Sequence, residues 1–78
     1  MNQKVKLIWD FRGPDSMKIA KHHCIHLREF VSKEKMKCKE IDCSEISDYH
    51  TIAYMIVDNN DVISLRDALR PHRGERID

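Results

Sequence analysis

Neither sign of charge dominates this sequence: 14 lysines and arginines face 13 aspartates and glutamates, a formal net charge of +1. Without a basic excess there is no general pull toward a phosphate backbone, so nucleic acid is disfavoured as a partner. No run of about 18 apolar residues occurs, so no membrane span is expected. Met1 to Lys6 hold no apolar stretch of the kind a secretion signal needs, and they lead straight into a strand. The cysteines, Cys24, Cys38 and Cys43, are odd in number and include no Cys-x-x-Cys. A disulfide framework and a zinc ribbon are set aside on that ground, and the thiols are expected to be small buried side chains in a reducing cytoplasm. Internal repeats, linkers and low-complexity tracts are also missing.

What is present suits one small domain over residues 1–78. A composition of 41% hydrophobic and 35% charged residues argues against disorder. A chain this short buries little more than about 60% of its unfolded surface, and oligomerisation is a natural way to bury more.

Lys4 to Phe11 reads as strand one, with Val5, Leu7, Trp9 and Phe11 on one face and Lys4, Lys6, Ile8 and Asp10 on the other. Gly13-Pro14 stops it. Helix one is expected from Pro14 to Lys35, Pro14 taking the first helical position and Asp15 the positive first turn or the N-cap. Its apolar stripe is Met17, Ala20, Cys24, Leu27 and Val31, flanked by His23 and Phe30. Lys33 and Lys35 suit its C-terminal end, and Glu29 with Lys33 is an i,i+4 pair. Lys37 to Ile46 is a polar strand two, suited to an edge. After a turn at Ser47-Asp48-Tyr49, the apolar strand three runs from His50 to Val57. Asp58 to Asp61 makes a turn and cap for helix two, which packs Val62, Leu65, Ala68 and Leu69 and ends near Arg70 before Pro71. His72 to Asp78 is expected to add a short last strand.

The order strand, helix, strand, strand, helix, strand is that of an α+β ferredoxin-like sandwich, an antiparallel sheet with two helices on one face. That topology puts the apolar strands one and three in the middle and the charged strand two on an edge. It also brings three connections to one end of the sheet. These carry Asp10, Arg12, Gly13 and Asp15; Glu45, Asp48, Tyr49 and His50; and Arg70, His72, Arg73 and Gly74. Phe11-Arg12-Gly13-Pro14 ahead of a helix with His22-His23-x-x-His26, and Leu69-Arg70-Pro71-His72-Arg73-Gly74 near the end, resemble a family of short bacterial proteins of unknown function. The resemblance spans nearly the whole chain and implies no activity and no functional residues. More loosely, the fold is similar to that of dimeric α/β-barrel proteins, whose sheets pack face to face.

Two constellations can carry chemistry. His22 and His26 stand four apart on one outward face of helix one, the spacing that chelates a transition metal such as zinc. A third ligand must then come from His23, His72 or a partner subunit, and the absence of a Glu between the two histidines excludes the zincin pattern. The second lies on the rim. Arg12, Gly13, Arg70 and Arg73 suit a small anionic ligand, and His50 or His72 suits acid–base work beside it. The competing reading is that the arginines pair with Asp10, Asp15, Glu45 and Asp48 to hold the loops together.

The leading expectation is a binding or interaction module that forms a homodimer; a small enzyme of the rim and a metal-binding protein are the alternatives. The dimer is expected through the open face of the sheet. Ile8 lies there. In strand three either Ile52, Tyr54 and Ile56 or Ala53, Met55 and Val57 must face away from the helices, leaving an apolar row uncovered. Lys6 and Asp10 would pair across the two-fold axis.

Overall fold

The computed structural model describes residues 3–38 and 40–77. Strand β1, Lys4–Arg12, follows the expected alternation: Val5, Leu7 and Trp9 enter the core and Phe11 packs against it. It ends at Gly13, whose φ of +118° is strained for any residue with a Cβ. The Gly13 N–H donates to the Tyr49 carbonyl at 2.8 Å, so this break is tied to the turn after the next strand.

Helix α1, Ser16–Lys33, starts two residues later than the Pro14 expected. A turn closed by the Ser16 N–H on the Gly13 carbonyl occupies the intervening residues, and Asp15 stands at the N-cap without a side-chain cap bond. Ser16, Ala20, Cys24 and Leu27 are buried. Ser16 shares a 3.0 Å hydroxyl–hydroxyl hydrogen bond with Thr51, the two buried polar side chains satisfying each other. The helix stops at Lys33, short of the Lys35 expected; Lys35 lies just past the Glu34 cap in a left-handed conformation (φ 53°), with the Met36 N–H donating back to the Val31 carbonyl.

That reversal absorbs residues assigned above to strand two. Strand β2 is Glu40–Ser47; Lys37 and Cys38 precede it, and Lys39 lies outside the described residues. A bulge between Glu45 and Ser47 leaves Ile46 exposed. Strand β3, His50–Asp58, pairs antiparallel with both β2 and β1. A 3₁₀ turn, Asn59–Asp61, leads into helix α2, Val62–Leu69. Leu65 is buried and Val62 and Leu69 pack against the core, but Ala68 is exposed rather than packed. Strand β4, Arg73–Arg76, pairs with β1. The sheet order β2-β3-β1-β4 is that of the ferredoxin-like fold, with the apolar strands central and charged β2 on an edge. No helix among the described residues is long and apolar enough to cross a membrane.

The helix-facing set of β3 is Ala53, Met55 and Val57. Register decides it: these three stand opposite Trp9, Leu7 and Val5, and small Ala53 leaves room for the indole. Ile52, Tyr54 and Ile56 therefore share the open face with Ile8. That face is not the uncovered apolar row expected from the sequence. Ile8 is only 1% exposed and Ile52 4%, and the polar side chains of the same face are bonded to one another. Lys4 pairs with Asp58, Lys6 lies 4.4 Å over the Tyr54 ring, and the Tyr54 hydroxyl donates to Glu40 at 2.6 Å. Lys6 and Asp10, expected to pair across a two-fold axis, both find partners within the chain.

Candidate functional site

The rim is built around Asp10, near the end of β1. Its carboxylate is 17% exposed and accepts from two directions. His50, the first residue of β3, donates from Nε2 to Oδ1 at 2.8 Å. Arg73, the first residue of β4, reaches both oxygens, Nε to Oδ2 at 3.1 Å and Nη2 to Oδ1 at 3.3 Å. The bond from Arg73, helped by that from His50, lowers the Asp10 pKa to about 2, against partial desolvation. The remaining Arg73 nitrogen, Nη1, donates to Glu75 at 3.0 Å.

The Asp10 backbone is engaged as well. Its N–H donates to His72 Nδ1 at 2.8 Å, and the His72 N–H donates to the Ile8 carbonyl at 2.9 Å. The neutral His72 ring therefore carries its proton on Nε2. Three of the rim residues singled out in the sequence, His50, His72 and Arg73, thus converge on one aspartate. Gly13 is tied instead to Tyr49. Arg12, at the end of β1, and Arg70, in a left-handed conformation after α2, are exposed, and among the described residues neither forms an ion pair. Of the loop-holding pairs foreseen, the one between an arginine and Asp10 forms.

Helix α1 carries the second set. His22 and His26 face outward, their Nε2 atoms 3.0 Å apart and their rings nearly perpendicular. His26 Nδ1 lies 3.2 Å from Glu29 Oε1. The sequence pairs Glu29 with Lys33, but the structure brings its carboxylate to His26, and the i,i+3 spacing is the signal of that contact. Neither His23 nor His72 supplies a third ligand. His23 turns inward, its ring 5.0 Å from that of Trp9 and 5.4 Å from that of Phe11, with Nε2 buried and unpartnered among the described residues. Desolvation, with smaller contributions from His26 and His72, pulls its pKa down. Among the described residues no group of three or more His, Cys, Asp or Glu side chains is placed to hold a metal ion.

Burial restrains two of the three thiols. Burial pushes the Cys24 thiol up to about 11 and raises Cys38, while the Cys43 thiol meets the Met17 sulfur at 4.0 Å.

Compared with known proteins, the chain matches no family model, no curated protein and no solved structure.

Proposed function

We propose that this chain is a small non-catalytic interaction module that works as a homodimer in the cytoplasm. The observation that carries the reading is the closure of the rim on Asp10. His50, His72 and Arg73 are the residues an acid–base enzyme of anionic substrates would use there, and each spends a polar atom on that one residue. Such a network joins three chain segments, and its role as a fastener accounts for every bond in it. The three free cysteines support a reducing compartment.

The homodimer reading now rests on a surface other than the sheet. With Ile8 and Ile52 covered, exposed apolar side chains lie on the outer face of α1. Ile19 is 47% exposed and Ile25 50%, and both line one shallow concavity with His22, Lys18, Lys21 and Asp15. A second copy of the chain is the occupant we assign to that face.

Sedimentation velocity of tag-free protein, prepared without chelator and followed up to millimolar concentration, tests the assembly. A dimer fraction that grows with concentration and disappears in Ile25→Glu is expected. A monomer throughout, or a dimer indifferent to that substitution, would overturn it. Asp10→Asn tests the rim. A fastener loses about 1–2 kcal/mol of stability when two partners are left unpaired, whereas a strained catalytic carboxylate gains stability on removal.

A further inference from the structure

Geometry at the middle of α1 points to a metal site shared between two copies of the chain. We infer that His22 and His26 are half of a four-histidine zinc site, completed by the same two residues of a second copy across a two-fold axis. The inference rests on the homodimer reading and names what holds that dimer together.

The nitrogens of the pair already stand at a chelating distance. Two imidazole nitrogens bound to one tetrahedral zinc at about 2.0–2.1 Å stand about 3.3 Å apart. His22 Nε2 and His26 Nε2 are already 3.0 Å apart, so a slight opening of the pair admits the ion. A carboxylate stands behind the pair. With Glu29 accepting from His26 Nδ1–H, the lone pair of His26 is fixed on Nε2, the atom that faces His22. In the metal-free pair His22 Nε2 donates to it. On binding, the His22 proton moves to Nδ1 and both Nε2 lone pairs meet the ion.

One chain alone does not complete the site. Structural zinc takes four ligands, and among the described residues no third candidate stands beside the pair. A second copy supplies the other two with no new chemistry. Position suits this. Cys24 and Ile25 are the middle of Ser16–Lys33, so the histidines straddle the centre of the helix. In a tetrahedral site the nitrogen pair of one copy stands perpendicular to that of the other, so a two-fold axis through the metal makes the two helices cross steeply at their centres. Ile19 and Ile25 flank the metal at that crossing. The positive charge of Lys18 and Lys21 opposes a cation, and the Glu29 carboxylate beside His26 offsets part of that.

The area of the helix face also calls for a bridge. An 18-residue helix is roughly 27 Å long and about 10 Å wide, so its outer face offers on the order of 300 Å². A stable interface buries about 800 Å² on each partner. Apolar contact through α1 is too small for a tight dimer, and a metal bridge provides what the area does not.

Tag-free protein, stripped with EDTA and dialysed, is titrated with zinc alone and followed by calorimetry and by sedimentation velocity; cobalt replaces zinc for absorption spectra. The inference expects one zinc for two chains, at least a tenfold fall in the dimer dissociation constant, and the intense visible bands of tetrahedral cobalt. His22→Ala and His26→Ala, at exposed positions, stay folded by circular dichroism and lose all three effects. Glu29→Ala weakens zinc binding about tenfold, and Glu29→Gln restores part of it. A dimer that persists in EDTA and ignores both zinc and the histidine variants overturns the metal bridge and leaves the homodimer standing. Zinc bound once per chain without association overturns both, as does a monomer that binds no zinc.

Discussion

Trp9 Nε1–H donates to the Leu69 carbonyl at 3.1 Å, fastening the last turn of α2 to a central strand sixty residues away in sequence. The α2 helix has eight residues, too few to be stable alone. Trp9→Phe keeps an aromatic ring in the core but frees this carbonyl and leaves a void. A loss of about 2 kcal/mol is expected in urea unfolding followed by circular dichroism, since the chain's only tryptophan is gone. Amide exchange at Arg66 and Arg70 should speed up beforehand. Unchanged exchange there would show that α2 is held by other contacts.

Acid should weaken the fold through Asp10. Its folded pKa is lowered to about 2 against an ordinary value near 3.9. The unfolded chain therefore binds the proton more readily, and the stabilisation is complete above about pH 4 and lost as pH falls toward 2. Arg73 is 47% exposed, and solvent screening keeps the contribution on the order of 1 kcal/mol. Asp10→Asn should flatten this limb of a stability–pH curve, and a limb left intact would place the titrating carboxylate elsewhere.

His23 should act at a higher pH. Its pKa is lowered by burial between Trp9 and Phe11, so protonation favours the unfolded chain. The stability it permits is complete above about pH 6.5, the unfolded value, and declines as pH falls below it. His23→Phe removes both the titration and the unpartnered Nε2, and should raise stability by about 1 kcal/mol at pH 6. Thermal melts at pH 8 and pH 6 check this; equal shifts at both would show that packing alone had changed.

Lys35 adopts a left-handed conformation at the C-terminal end of α1, where glycine is at ease. Lys35→Gly should stabilise the protein by about 0.5–1 kcal/mol in urea unfolding, and a loss would mean that the Lys35 side chain makes a contact worth more than the backbone strain.

Much of the fold was legible because its signals are local. The alternation of Val5, Leu7, Trp9 and Phe11 predicts the inward face of β1, and the charges of Glu40 and Asp42 place β2 on an edge. The inward face of β3 was not legible, because both of its alternate sets are apolar; the choice follows from Ala53 standing opposite Trp9, a pairing between distant strands. The start of β2 was hidden by the left-handed turn at Lys35, taken by a residue that does not advertise it. At the site, topology brought the right residues to one rim. That Asp10 would be their common partner depended on distances no spacing rule contains: His50 and Arg73 come from separate strands, and His72 binds a backbone N–H that a sequence does not display. His22 and His26 were readable from their four-residue interval, while the inward turn of His23 followed from the aromatic rings beneath it.

The placement of β1 inside the sheet has a kinetic side. Its neighbours are late in the chain: Arg12 pairs with His50, and Ile8 with Arg73. No hairpin can form around β1, and each pairing must close a long loop before any ladder bond rewards it. Only β2 and β3, joined by a tight turn, can zip locally. Refolding should therefore begin with that hairpin and α1, while the bare edges of β1, with Leu7, Ile8 and Trp9 exposed, wait for their partners. During that interval the molecule is at its most prone to aggregation, and dilute refolding should give markedly better recovery than concentrated refolding.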